Sequence, residues 1–313
     1  MKSRRKFIKT AGAMATSGLI LGPYACAPKK SEESGEQTVA ASDAMGDEAT
    51  KDLGIQLYTL RNQISENLEG TIEKVANIGY TWVEGFGYEN GQILGKTPTE
   101  WQTILQNNGL NMPSMHAVTE LTTEGGKQAI MDAMRRAAED AKTAGSDYLI
   151  YAYLQEEERQ SMDDYKRHAE NFNDFGEICK EVGLQFGYHN HDFEFKRFGE
   201  QIPYDYLLQN TDNSLVKFEL DLYWITKAGE DPVAYFNKYP GMFPLWHVKD
   251  MEPGEEKFFA EVGQGTIDFQ RIFEAGNTAG VKYYFVEQDQ SRRNPLESVE
   301  MSFKYLQDAD FFA

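Results

Sequence analysis

The amino-acid sequence predicts an α/β protein built as a single (β/α)8 TIM barrel. Eight short apolar runs alternate with stretches that have helical spacing, and the starts of the runs lie 27 to 38 residues apart. Strands that are separated by helices pair in parallel. The part of the chain that holds all eight units, residues 53–313, has the length of about 250 residues that is usual for such a barrel.

The predicted strands cover residues 54–60, 81–86, 111–118, 147–153, 184–190, 216–222, 243–249 and 281–287. Between them, apolar residues recur at three- and four-residue spacing, as in 130–141. Glycines such as Gly79 and Gly183 precede the next strand and are expected to cap helices. A doubly wound open sheet is the alternative. It is disfavoured because Leu60-Arg61-Asn62 follows the first strand, where that fold carries a glycine-rich phosphate turn.

The first 26 residues have the order of an export signal. Basic residues, among them Arg4 and Arg5, precede an uncharged stretch of small residues, and with Phe7 they resemble a twin-arginine signal. A transmembrane anchor fits less well, because the stretch is broken by Pro23 and is barely long enough to span a membrane. Cys26 resembles a lipoprotein acceptor site, and the polar, aperiodic residues 27–52 predict a flexible linker. We therefore expect a bacterial protein that is periplasmic or anchored to the membrane by lipid at Cys26.

The charge and the cysteine count exclude several classes of protein. The formal net charge is −19. Removing residues 1–25 takes away five basic side chains and gives −24, which argues against nucleic acid as a partner. Two cysteines, Cys26 and Cys179, are too few for a disulfide framework or a zinc finger. A homo-oligomer is left open.

Four strand ends in the second half of the chain carry candidate metal ligands. Chemistry in such barrels takes place at the carboxyl ends of the strands. There the sequence places Glu194, Asp221, His247 and Glu287. Carboxylates and one imidazole suit Mn²⁺, Mg²⁺, Co²⁺ or Zn²⁺. Glu194 lies past its strand, so His191 or Asp192 is an alternative to it.

Further polar and aromatic residues at the same ends are candidates for handling the substrate. Lys249 and His189 are candidates for protonating a leaving group. The residues expected to bind substrate are His191, His116, Arg61, Glu84 and Trp224. Each has a plainer alternative: Arg61 and Glu84 as a salt bridge at the barrel top, His116 as a core histidine, and Trp224 as core packing.

Several motifs resemble the sugar phosphate isomerase/epimerase family, which has a xylose-isomerase-like barrel. They are GIQLYTLR at 54–61, YHNHDFEF at 188–195, ELDLYW at 219–224, HVKD at 247–250, VGQGTIDF at 262–269 and VEQD at 286–289. The resemblance implies one divalent metal ion held by Glu194, Asp221, His247 and Glu287. Because His189 and His191 stand in the fifth strand, the chain is more similar to the inosose-dehydratase-like and secreted branches.

The chemistry shared by this family predicts the reaction. A metal ion that polarises a sugar carbonyl makes the neighbouring C–H acidic, and Glu194 and Glu287 are the expected acid/base pair. Return of the proton gives isomerisation or epimerisation through an enediolate, and loss of a β-substituent gives a lyase or dehydratase. We expect a small sugar or polyol as the substrate, and an isomerase or epimerase that acts on a non-phosphorylated keto-sugar or related polyol. The alternative is a lyase, either inosose-dehydratase-like or acting by β-elimination of a keto-glycoside. A non-catalytic sugar-binding lipoprotein and a multi-zinc nuclease are less well supported.

Overall fold

The computed structural model describes residues 51–117 and 126–312. The predicted export signal, Cys26 and all but the last two residues of the predicted linker lie outside the described residues. Within the described part of the chain, none of the helices combines the length and the apolar character needed to cross a membrane.

Eight parallel strands form a closed barrel in which each strand pairs with its neighbours in the sequence and β8 pairs with β1. The strands are β1 (Gly54–Gln56), β2 (Trp82–Gly85), β3 (Asn111–His116), β4 (Tyr148–Tyr151), β5 (Gln185–His189), β6 (Val216–Asp221), β7 (Leu245–Val248) and β8 (Tyr283–Val286). All eight predicted strands are confirmed, so the alternative of an open sheet is wrong.

Helices connect the strands and cover the outside of the barrel. They are α1 (Arg61–Glu66), α2 (Leu68–Ile78), α3 (Pro98–Asn107), α4 (Gly126–Thr143), α5 (Met162–Val182), α6 (Pro203–Asn210), α7 (Leu222–Lys227), α8 (Pro232–Lys238), α9 (Phe269–Glu274), α10 (Gly276–Ala279) and α11 (Pro295–Asp308). A capping box formed by Ser161 and Asp164 begins α5, and Gly183, with a φ of 84°, ends it.

The interior of the barrel changes from apolar to charged along the strands. Side chains that point inward alternate with those that point outward. Near the amino ends, Leu245 and Phe285 pack together with Tyr148 and Ile150 as a buried apolar layer. Two residues further on, the same inward faces carry His247 and Glu287. The apolar layer therefore closes the bottom of the barrel and leaves the charged groups at the mouth.

A buried carboxylate holds the loop that follows β7. Asp250 is 1% exposed, and its side chain accepts hydrogen bonds from the backbone N–H groups of Met251, Gly263, Gly265 and Ile267 at 2.7 to 3.1 Å. A Cβ atom at Gly265 would lie 2.3 Å from Asp250 Oδ1, so only glycine allows this approach. The glycines of the VGQGTIDF motif thus bind a side chain of this chain.

Replacement of Asp250 by Asn is expected to destabilise the fold. One acceptor oxygen becomes a donor that faces backbone N–H groups, and the cost is about 1–3 kcal/mol of unfolding free energy. Urea unfolding followed by circular dichroism measures it. Asp52→Asn, at an exposed position, is the matched control and is expected to change the unfolding free energy by less than about 0.5 kcal/mol. Equal stability of the two variants would contradict the role given to Asp250.

Candidate active site

Three of the four predicted metal ligands meet at the mouth of the barrel. Asp221 ends β6, His247 lies in β7 and Glu287 follows β8, and each offers a ligand atom within 4.8 Å of the other two. His247 Nδ1 lies 2.6 Å from Glu287 Oε2 and 3.9 Å from Asp221 Oδ2. All three side chains are buried. The register of the parallel strands, which pairs Asp221 with His247, brings them together.

The structure does not bring Glu194, the fourth predicted ligand, into this group. It lies in the short 3-10 turn Phe193–Phe195. Tyr188 donates its hydroxyl proton to Glu194 Oε1 at 2.5 Å, and the backbone N–H of His191 donates to Oε2 at 2.9 Å. Because Tyr188 precedes the inward-facing His189, it points to the outside of the barrel wall. Glu194, which is hydrogen-bonded to Tyr188, lies on the same side. Burial raises the pKa of Glu194 to about 8.

A second group of side chains lies beside the first and shares His247 with it. His116, His189, Glu219 and His247 each place one ligand atom within 4.8 Å of the others. Glu219 Oε2 lies 2.7 Å from His116 Nε2 and 3.0 Å from His189 Nδ1. Glu219 was not among the predicted site residues, although it shares the inward face of β6 with Asp221, and that parity is the signal that could have identified it.

Glu84 lies deeper than a substrate-binding role requires. It is fully buried, accepts a hydrogen bond from Gln56 Nε2 at 2.7 Å, and lies 3.0 Å from His116 Nε2. It also contacts His247 and Ser114. It is not among the residues that line the cleft. Glu84 therefore supports the histidines from below, and the predicted salt bridge with Arg61 does not form, because Arg61 donates to the carbonyls of Tyr58 and Asp289.

Lys249 is a buried cation among three carboxylates. Its Nζ lies 2.8 Å from Asp221 Oδ2, 2.6 Å from Glu287 Oε2 and 2.8 Å from Asp289 Oδ1. Burial alone would lower the pKa of Lys249, but these carboxylates outweigh it and raise the pKa well above its usual range. The amine is therefore an ammonium group, a proton donor rather than a nucleophile. Asp289 is a further site residue that was not predicted from the sequence.

The histidines of the site differ in charge. Burial alone would lower the pKa of His116, but the carboxylates of Glu84 and Glu219 outweigh burial and raise the pKa to about 9. Burial and the neighbouring cations hold the pKa of His189 and of His191 well below the usual range. At neutral pH, His116 is an imidazolium that donates protons, whereas His189 and His191 are neutral and have a lone pair to offer.

A cleft of about 730 Å³ opens above these groups. His116, His189, His191, Lys249 and Glu287 line its floor, and Arg61 and Trp224 line its walls, so these predicted residues do face one pocket. The walls are largely aromatic, with Tyr58, Phe86, Tyr88, Tyr153, Phe193 and Trp224 around the opening. Aromatic walls above polar groups are typical of sites that bind one face of a sugar ring.

The residues at the mouth fit a divalent cation. Four carboxylates, those of Glu84, Glu219, Asp221 and Glu287, are at most 5% exposed, and buried carboxylates need neutralising charge. Glu219 Oε1 is buried and accepts no hydrogen bond within the part of the chain that the structure describes. Asp221, His247 and Glu287 offer the oxygen and nitrogen donors that such ions prefer. His189, whose Nε2 lies 3.7 Å from Asp221 Oδ2, is a candidate for a fourth ligand.

Comparison with known proteins identifies the family. Residues 72–309 match the family model of the xylose isomerase-like TIM barrel. The chain belongs to this family. The resemblance seen in the sequence motifs is thus confirmed, and so is the expectation of an enzyme-type barrel.

Relatives within and around the xylose isomerase-like family carry more than one activity. The inosose dehydratase of Lacticaseibacillus casei is 31% identical over 163 residues, which are 46% of this chain and 54% of that protein. The chain thus spans about half the length of the curated relatives it matches. A solved sugar phosphate isomerase/epimerase of Parabacteroides distasonis is 30% identical, with a TM-score of 0.74 over 88% of this chain and 99% of that one.

A more distant structure shows the fold alone. A xylose isomerase-like TIM barrel protein of Mycobacterium smegmatis, solved in complex with magnesium, is 12% identical and has a TM-score of 0.63 over 85% of this chain and 98% of its own.

Metal binding is expected to stabilise the protein and to depend on Asp221. At a Mn²⁺ concentration about 100 times the dissociation constant, the unfolding free energy rises by about 2.7 kcal/mol. A thermal melt with and without Mn²⁺ after chelation measures the gain. Asp221→Asn is expected to abolish it. Glu194→Gln is the matched control, because its carboxylate lies outside the ligand group, and it is expected to keep the gain. Loss of the gain in Glu194→Gln would restore the original assignment of Glu194.

Glu194 is expected to make stability fall as pH rises. Its pKa is about 8 in the folded chain and about 4.3 when unfolded, so the folded state binds more protons between these values and loses stability with increasing pH. Glu194→Gln removes this contribution. The measurement is the difference in unfolding free energy between wild type and variant at pH 5 to 8. A difference that does not change with pH would contradict the raised pKa.

Proposed function

We propose that this protein is a divalent-metal-dependent lyase that removes a β-substituent from a keto-sugar or keto-polyol. The observation that carries the choice of reaction is the position of Glu194. The two-carboxylate pair expected for epimerisation is Glu194 and Glu287, and Glu194 lies outside the cleft with both oxygens in hydrogen bonds. The group beside Glu287 is the Lys249 ammonium, at 2.6 Å. A base next to a proton donor suits elimination.

The metal ion in this proposal is held by Asp221, His247 and Glu287, with His189 as the fourth ligand. When bound, the ion polarises the substrate carbonyl and makes the neighbouring C–H acidic. Its identity among Mn²⁺, Mg²⁺, Co²⁺ and Zn²⁺ is left to measurement.

Glu287 is the base in the proposed reaction. Lys249 and His247 outweigh the effect of burial and hold the pKa of Glu287 well below its usual range, so the carboxylate is ionised. Its Oε2 contacts His247 and Lys249, whereas its Oε1 has no hydrogen-bond partner among the described residues. The side chain lines the cleft, so Oε1 is available to accept the proton from the carbon next to the carbonyl.

Lys249 is the acid. As the C–H electrons form the new C=C bond, the β C–O bond breaks and the ammonium gives its proton to the departing oxygen. The products are an α,β-unsaturated ketone and water or an alcohol. His191, which is neutral and lines the cleft, and Trp224 are assigned to hold the hydroxyls and one face of the ring.

An isomerase or epimerase is the second candidate. Asp192 and Asp289 place two further carboxylates on the cleft, and either would return a proton to carbon in place of Glu194. The Parabacteroides relative, which matches along most of this chain, supports this candidate. Both reactions begin with the same proton abstraction, so one experiment distinguishes them.

A non-phosphorylated substrate follows from the proposed location. We propose that residues 1–26 export the protein and that Cys26 carries a lipid anchor, on the sequence features described above. An exported enzyme meets few sugar phosphates. The net charge of −19 also disfavours phosphorylated ligands.

The test is incubation of the metal-loaded protein in D₂O with a panel of keto-sugars and inososes. We expect an enone absorbance in the ultraviolet. Glu287→Gln is expected to lower the rate by a factor of about 10²–10⁴, as for loss of a general base, and Lys249→Met to lower it by a similar factor. Glu194→Gln is the matched carboxamide control and is expected to keep most of the activity.

Three other outcomes would change the proposed function. Solvent deuterium next to the carbonyl without an enone would replace the lyase by the isomerase or epimerase. Activity that survives in Glu287→Gln would overturn the assignment of the base. Metal binding and sugar binding with no exchange in any substrate would leave a sugar-binding protein.

A further inference from the structure

A second cavity adjoins the cleft, and the proposed reaction does not use it. It encloses about 390 Å³ and shares Arg61, Asp289 and Gln290 with the larger cleft. The shared residues show that the two cavities lie side by side. The second cavity is formed by the 3-10 turn and helix α1 after β1 and by the loop after β8, which begins beside the candidate base Glu287.

Gln288 is the most informative residue of the second cavity. It is 4% exposed, and its backbone N–H donates to Thr59 Oγ1 at 3.0 Å. Its side-chain amide lines the cavity and makes no hydrogen bond to any residue that the structure describes. An amide that faces a ligand offers two donors and an acceptor. The side chain is therefore poised for a polar ligand.

Other amides surround the same space. Asn62, Gln63 and Gln290 line it, and the side chains of Asn62 and Gln290 are likewise without partners in the described chain. Amides both donate and accept hydrogen bonds, which matches hydroxyl groups. The charged side chains of the cavity are already engaged: Asp289 pairs with Lys249 at 2.8 Å, Arg293 pairs with Glu261 at 3.4 Å, and Arg61 donates to two backbone carbonyls. The chemistry fits an uncharged, hydroxyl-rich group.

The size of the combined site also favours a ligand larger than one sugar ring. Cavities of about 300–1,000 Å³ hold drug-sized ligands. The cleft of about 730 Å³ already lies in that range before the second cavity is added. A single keto-cyclitol ring is much smaller than such a ligand, so it would leave most of the surface unused.

We infer that the second cavity is a subsite for the departing residue of a keto-glycoside, so that the substrate is a keto-disaccharide rather than a single ring. This inference rests on the proposed lyase function and names its substrate class. The keto-sugar ring occupies the aromatic cleft and the second sugar occupies the amide-lined cavity. The glycosidic C–O bond is the one that breaks, β to the carbonyl. Glu287 takes the proton, Lys249 protonates the departing oxygen, and an unsaturated keto-sugar and a free sugar result.

The experiment compares a keto-disaccharide with the methyl glycoside of the same keto-sugar on the metal-loaded full chain. We expect wild-type kcat/KM to be at least about tenfold higher for the disaccharide. Gln288→Met removes the amide at similar volume, and Asn62→Ala tests an exposed residue of the same cavity. Each is expected to lower the disaccharide preference by about three- to tenfold, the worth of a hydrogen bond or two. Gln106→Met, exposed on α3, is the matched control and keeps the preference.

Calorimetric titration with the unoxidised disaccharide separates failure of the subsite from failure of the chemistry. Disaccharide binding that Asn62→Ala weakens, without elimination from either keto-substrate, would support the subsite and overturn the lyase. Equal kcat/KM for disaccharide and methyl glycoside, unchanged in Gln288→Met and Asn62→Ala, would overturn the subsite and keep the lyase. Absence of both binding and elimination would overturn both.

Discussion

The concentration of negative charge inside the barrel mouth is the constraint on which the rest of the site depends. Carboxylates of Glu84, Glu219, Asp221 and Glu287 are withdrawn from water into one small volume. Such groups are tolerated only when cations and hydrogen-bond donors surround them. Lys249 and His116 supply part of that compensation within the chain. The remaining excess of negative charge is the reason that the mouth fits a divalent ion.

The same concentration of negative charge accounts for the different protonation states of the acidic and basic side chains of the site. Glu287, which faces Lys249 and His247, stays ionised, whereas Glu194, which faces tyrosines on the other side of the barrel wall, binds a proton far more readily. Glu194 and Glu287 thus differ in their affinity for a proton because their surroundings differ. One is suited to accept a proton from substrate, and the other stabilises a turn as a hydrogen-bonded structural group.

The strands and most of the mouth were predictable because both follow from simple periodicities. Strand alternation puts Leu245 and His247 on one face, and parallel pairing places Asp221 beside His247. Glu194 was misplaced because alternation stops where β5 ends, and the 3-10 turn that follows is set by contacts to Tyr188 that a sequence pattern does not encode. Asp289, Gln288 and Gln290 belong to a loop without periodicity. Glu219 was not predicted because Asp221, on the same face of the same strand, was assigned as the ligand.

The side chains proposed for the chemistry and those proposed to bind substrate come from different segments of the chain. The side chains proposed to bind the ion and to transfer protons come from the carboxyl ends of β5 to β8 and from the residues just after β7 and β8. The aromatic walls come mainly from segments after β1, β2 and β4, and the amides of the second cavity from α1 and the loop after β8. Changes of substrate can therefore accumulate by altering loops while the strands that carry the chemistry stay untouched. Such modularity gives natural selection a way to diversify what the barrel accepts without rebuilding what it does.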